Sequence, residues 1–168
     1  DFEIRARRNS RSDDFNALVA AHEAGHAVLY AALFKMVPME IQINVASFNG
    51  GYIMFKEQHL SKEEVLRRIA VCLGGIVAEE LLFGPEMRST GCVSDIQNAT
   101  SLAAQYVRIY AMGNYSGRIW PEEDGAFADN RTIESSPMID ELVRQQKDTA
   151  QEVLTKHRDV LVDLSKQL

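Results

Sequence analysis

The sequence predicts a mainly α-helical protein with one small β-sheet. Three features carry that prediction. Apolar residues recur at helical spacing over four stretches, a short central segment alternates apolar with polar residues, and strong helix-start signals stand at Ser61 and at Ser136-Pro137.

The first helix is expected to start near Ser12 or Asp13, either of which can cap its free amides, and to run to Phe34. Phe15, Leu18, Val19, His22, His26, Leu29 and Leu33 recur along it at helical spacing, and Pro38 closes the segment. Ile41, Ile43 and Val45 then alternate with polar residues. Residues 47–51 read as a turn and 52–55 as a returning strand. Two strands alone are unstable, so the hairpin must lie on helices or pair further.

Ser61 with Glu64 forms a capping box that opens a second helix, which continues to Glu80 and ends at Gly84-Pro85. Gly74-Gly75 in its middle costs about 1 kcal/mol per glycine, so close packing against another helix is the expected compensation. A third helix is expected from Ser94 or Asp95 to Met112, with Gly113 as C-cap. A polar loop follows over 114–135. Ser136 then reads as an N-cap before a first-turn proline, and 138–168 as helical with a break near His157.

With 168 residues, the chain fits one domain, read as a linker over 1–12 and a domain over 13–168 whose last helices occupy 137–168. A net charge of −6 argues against non-specific nucleic-acid binding, and the arginines at 5, 7, 8 and 11 read as a solvated lead-in. Cys72 and Cys92 form no disulfide framework, which points to a reducing, cytoplasm-facing compartment. No continuous run reaches the ~20 apolar residues of a membrane span. The start at Asp1 rather than Met suggests a piece of something longer.

Chemistry concentrates in His22-Glu23-Ala24-Gly25-His26, an HExxH motif inside the first helix. Residues i and i+4 share one helix face, so both imidazoles reach one ion. Zinc suits neutral imidazoles, and Glu23, beside the first ligand, is placed to take a proton from a water at the open position. The competing reading is two histidines that merely pack on an amphipathic helix. A catalytic tetrahedral site needs a third protein ligand. The extended HExxHxxGxxH pattern fails, because Leu29 and Ala32 stand where it requires Gly and His. Glu79 and Asp95 remain as candidates, and spacing alone does not choose between them. Against these roles stand a solvated helix face for Glu79 and an N-cap for Asp95. His59 and His157 read as surface or capping histidines, and Cys92 as a packed thiol.

Three blocks in order resemble the peptidase domain of the FtsH family of membrane-anchored AAA proteases. They are HEAGHA from His22, GGIVAEELLFG from Gly74 against a family pattern near GGRxAEExxFG, and STGCVSDIQNAT from Ser89 against TTGAxxDLxxAT. The resemblance implies a zincin-like α+β fold with Zn2+ as cofactor and proteolysis in protein quality control. It implies Asp95 as the third ligand beside His22 and His26, Glu23 as general base, and Glu79 in support of the ligands. It also implies extended substrate added along the sheet edge at Gly51, Tyr52, Ile53, Met54 and Phe55. The implied partners are polypeptide substrates, an AAA ATPase module in the same or a partner chain, and further copies in a homo-hexamer. The implied location is a cytoplasm-facing part of a longer membrane-anchored chain. Ile76 departs from the pattern, standing where an arginine is common. No GxxxxGK[ST] phosphate loop occurs in the chain.

The leading reading is therefore a zinc metalloendopeptidase acting on unfolded or flexible polypeptides. Its competitors are a hydrolase of non-peptide amides and a retired peptidase fold serving in assembly or as a chaperone-like module.

Overall fold

In the computed structural model, which describes residues 2–36, 60–119 and 130–168, every regular element is a helix. The expected mainly α fold with a small β-sheet is thereby corrected to an all-helical one, since the described residues hold no strand. The alternation that suggested a sheet involves only three apolar positions. The described core is closed by helix against helix and needs no sheet to bury it. Residues 41–55, and with them Gly51, Tyr52, Ile53, Met54 and Phe55, lie outside the described residues.

Helix α1 (Phe2–Phe34) begins ten residues before the expected caps. Residues 2–12 contain neither Gly nor Pro and are rich in Arg, so nothing there stops a helix. Its second half is the central helix of the protein. Ala20, Ala21, Ala24, Ala27, Val28 and Leu29 are all buried, and the helix packs on four of the helices that follow it. A helix apolar around most of its circumference is one that sits inside. By length and composition alone, Asp14–Phe34 is long and apolar enough to cross a membrane. Its most apolar stretch is 67% buried within the protein, as befits a core helix.

The single second helix expected from the sequence is two. Helix α2 (Lys62–Cys72) carries the capping box of Ser61 and Glu64, both halves formed. It stops at Leu73, and α3 (Gly74–Phe83) starts at the glycine pair. The reason lies across the interface. A Cβ on Gly25 would collide with the Gly74 carbonyl, and one on Gly74 would lie 2.8 Å from Leu29 Cδ1 and 2.9 Å from the Gly25 carbonyl oxygen. Thus α1 and α3 meet backbone to backbone, which offsets the helix cost of the glycines. Ile76 lies in the core, 2% exposed.

After Gly84, two short 3-10 turns (Pro85–Met87 and Thr90–Cys92) lead into α4 (Val93–Ala104). Where a helix to Met112 was expected, α4 passes into one π-helical turn (Gln105–Ile109), closed by the Tyr110 N–H on the Gln105 carbonyl at 2.8 Å. Helix α5 (Asn130–Lys156) runs through Pro137 instead of starting there. Ser136, expected to cap it, serves an arginine, as does its neighbour Ser135. Arg108 Nε donates to the buried Ser135 Oγ at 2.9 Å, and its terminal nitrogen donates to Ser136 Oγ at 3.1 Å. The expected break falls at His157 (φ −108°, ψ 28°), after which α6 (Arg158–Gln167) returns across α1.

Two apolar clusters fill the interior. Leu29, Val71, Val77, Leu154 and Leu161 join α1, α2, α3, α5 and α6, while Val65, Ile69, Ile76, Ala99, Tyr106 and Ile139 join α2, α3, α4, the π turn and α5. Burying one such Leu or Ile contributes about 1.5–3 kcal/mol. Lys147 Nζ, 2.8 Å from Glu80 Oε2, ties α5 to the outer side of α3.

Candidate metal centre

His22 and His26 stand one turn apart on α1, 8% and 7% exposed, and each ring is fixed from behind by its Nδ1. His26 Nδ1 lies 2.7 Å from the Val71 carbonyl oxygen. A carbonyl only accepts, so this nitrogen carries the proton and donates it. His22 Nδ1 donates to Glu79 Oε1, also at 2.7 Å. With its Nδ1 so engaged, each ring turns its Nε2 toward the same point. The His22 ring rests on Gly75, where any Cβ would collide with it.

The third group at that point is Asp95, in the first turn of α4. It does not cap the helix. Its Oδ2 lies 2.8 Å from His22 Nε2 and 3.3 Å from His26 Nε2, and the two Nε2 atoms are 3.1 Å apart. Among the described residues, His22, His26 and Asp95 form the one cluster of His, Cys, Asp or Glu able to hold a metal ion. Glu79 belongs to the layer behind, 1% exposed, and its neighbour Glu80 is the one that faces a lysine. Glu23 is 1% exposed in the same turn of α1. Cys92 Sγ donates to the Ser89 carbonyl at 3.0 Å. His157 sits at the α5–α6 break, and His59 lies outside the described residues.

Three electron-pair donors pressed within 3.3 Å of one another repel unless a positive charge lies among them. In the metal-free protein that charge is a proton. Burial alone would lower the His22 pKa, but hydrogen bonds to Asp95 and Glu79 outweigh it and push it up to about 10. Burial likewise works against ionisation of Asp95, yet its histidine partners hold its carboxyl well below the usual range. Glu79 is held low in the same way by His22 and Ser89. A zinc ion fits the donor set better than a proton does. Two imidazole nitrogens and one carboxylate oxygen are its usual ligands, and ligands about 2.0–2.1 Å from a tetrahedral ion stand roughly 3.3 Å apart, close to the spacings here. Burial pushes the nearby Cys72 thiol up to about 12, so it stays protonated.

Two participants left no clear trace in the sequence. Val71 acts through its backbone, which no side-chain pattern reveals. Ser89 donates to Glu79 from both its N–H (2.7 Å to Oε2) and its hydroxyl (2.9 Å to Oε1), and in the sequence it is only the first letter of a block.

The sequence model of peptidase family M41 matches residues 10–168. The chain is 35% identical to an ATP-dependent zinc metalloprotease FtsH of Chloroflexus aggregans, over 96% of this chain and 28% of that protein. It is 31% identical to an ATP-dependent zinc metalloprotease FtsH 3 of a Synechocystis species, over 94% of this chain and 29% of that protein. It is 28% identical to the mitochondrial inner membrane i-AAA protease supercomplex subunit YME1 of Saccharomyces cerevisiae, over 86% of this chain and 20% of that protein. The chain thus spans less than a third of the length of these relatives. With the family pattern matched over nearly its whole length, the chain belongs to peptidase family M41 and is a peptidase domain of the FtsH family.

Proposed function

We propose that this chain is a zinc metalloendopeptidase that hydrolyses peptide bonds in unfolded or flexible polypeptides, with His22, His26 and Asp95 as zinc ligands. The observation that carries the reading is the convergence of both Nε2 atoms and Asp95 Oδ2 within 3.3 Å, with each Nδ1 proton already committed elsewhere. Zinc held there supplies a Lewis acid that activates water and stabilises charge developing on a scissile carbonyl oxygen. Glu23 takes the proton of the attacking water and passes it to the leaving amine. Glu79 fixes the His22 ring and strengthens its basicity from behind.

Because the relatives are ATP-dependent and much longer, we assign this chain the cleavage step within a larger protein. An AAA ATPase module feeds it substrate, the assembly is a hexamer, and the longer chain is membrane-anchored. The expectation of a reducing, cytoplasm-facing side belongs to the same proposal.

The test is casein digestion by the wild type and Glu23→Gln, with zinc quantified in both. About one zinc per chain in both proteins is expected, with activity lowered ~10²–10⁴-fold in the variant. A wild-type chain that binds no zinc would overturn the reading.

A further inference from the structure

We propose that Ser89 is a positioning residue for the metal, clamping Glu79 against His22 while anchoring the turn that delivers Asp95. The inference rests on the ligand assignment above.

On one side, Ser89 gives Glu79 two hydrogen bonds, from its N–H to Oε2 at 2.7 Å and from its hydroxyl to Oε1 at 2.9 Å. Oε1 also receives the His22 Nδ1 proton. A carboxylate gripped at both oxygens by one residue cannot rotate about its last bond without losing both grips. Its hold on the ring is therefore directional. On the other side, Ser89 Oγ accepts from the Gly91 N–H at 3.2 Å, and its carbonyl accepts from the buried Cys92 thiol at 3.0 Å. These bonds shape the turn Thr90–Cys92, which runs straight into α4 and brings Asp95, in its first turn, to the two imidazoles. One hydroxyl thus serves both arms of the site, donating toward the His22 side and accepting from the Asp95 side. Outer partners of metal-bound imidazoles typically alter affinity by about 10–100-fold. The backbone grip survives substitution, so the lower end of that range is expected.

The experiment measures zinc affinity by chelator competition at about pH 7.5, alongside thermal melts of the metal-free proteins. Ser89→Thr keeps the hydroxyl and is expected within about threefold of wild type. Ser89→Val has threonine's shape without the hydroxyl and, like Ser89→Ala, is expected to bind about tenfold more weakly with its metal-free melt little changed. In a Glu79→Gln background the Ser89→Ala loss shrinks to about threefold, because the Glu79 route is already weakened. The role of Ser89 is overturned if Ser89→Ala binds zinc as wild type does, if Ser89→Thr is as weak as Ser89→Val, or if the full loss persists beside Glu79→Gln. Failure of both Ser89→Ala and Ser89→Val to fold while Ser89→Thr folds would make the residue structural and also overturn it. A wild-type chain without zinc sinks the ligand assignment, and this inference with it. A zinc-binding wild type matched by Ser89→Ala sinks only the role of Ser89.

Discussion

At the proposed metal site, His22 is where proton and metal are expected to compete. In the metal-free protein its pKa is pushed up to about 10, while the carboxyls of Asp95 and Glu79 are held below their ordinary values by their histidine and serine partners. Below that value zinc must displace the His22 proton. Apparent zinc affinity should therefore rise about tenfold per pH unit between roughly pH 7 and 9, with about one proton released per ion. Chelator competition across that range, with proton release followed in weak buffer, checks it, and a flat profile contradicts it. Stability of the metal-free protein runs the other way. A raised histidine pKa stabilises fully below the unfolded value of about 6.5, and that contribution is lost as pH climbs toward about 10. The depressed carboxylates stabilise above their ordinary values and lose that contribution as pH falls. Much of this chemistry is legible in the sequence, because HExxH fixes both rings on one helix face. The approach of Asp95 was legible only through resemblance, since contact between residues 73 positions apart depends on how α1 and α4 cross. The carbonyl of Val71 was not legible at all.

At the scale of elements, the glycine pair sets how the ligands meet their supports. Gly74 lets α3 touch α1 at Gly25, and Gly75 leaves room for the His22 ring. Gly75→Ala keeps helix propensity favourable but drives a methyl into the ring. A ligand ring does not yield as a flexible side chain would. Overpacking of this kind costs about 1–3 kcal/mol and displaces the ring, so zinc affinity should fall at least tenfold even where the fold survives. Zinc titration of a folded Gly75→Ala protein checks this, and wild-type affinity would show that the ring has another place to go. The sequence announced the glycines and their close packing, yet it gave one continuous helix where the chain turns at Leu73. Periodicity cannot see a one-residue break that preserves the apolar face. The π turn at Gln105–Ile109 escaped for the same reason, as its composition is that of an ordinary helix. The expected sheet failed differently, resting on three alternating residues while the described apolar faces pair helix with helix.

At the scale of the molecule, the site belongs to no single element. His22 and His26 come from α1, Asp95 from α4 and Glu79 from α3, and the two cores that hold these helices together also draw in α5 and α6. An unfolded chain has the same residues but cannot bring them within 3.3 Å, so at the proposed site zinc is expected to bind the folded state preferentially and stabilise it. At a free zinc concentration about a thousand times the dissociation constant, the linkage is worth about 4 kcal/mol. In a domain of this size, each 1 kcal/mol moves the melting temperature by roughly 2–4 °C, so chelation should lower it by roughly 8–16 °C. Leu161→Ala, on α6 and in the apolar cluster it shares with α1, α2, α3 and α5, should cost about 2–5 kcal/mol through the cavity it leaves. Because its side chain offers the metal no donor atom, the substitution should lower the melting temperature of the zinc-bound and zinc-free forms alike, leaving the gap between them near its wild-type size. Calorimetry of both proteins with zinc and with chelator supplies the four values required. A gap that collapses in Leu161→Ala would mean that the packing of α6 on α1 shapes the ligand geometry directly.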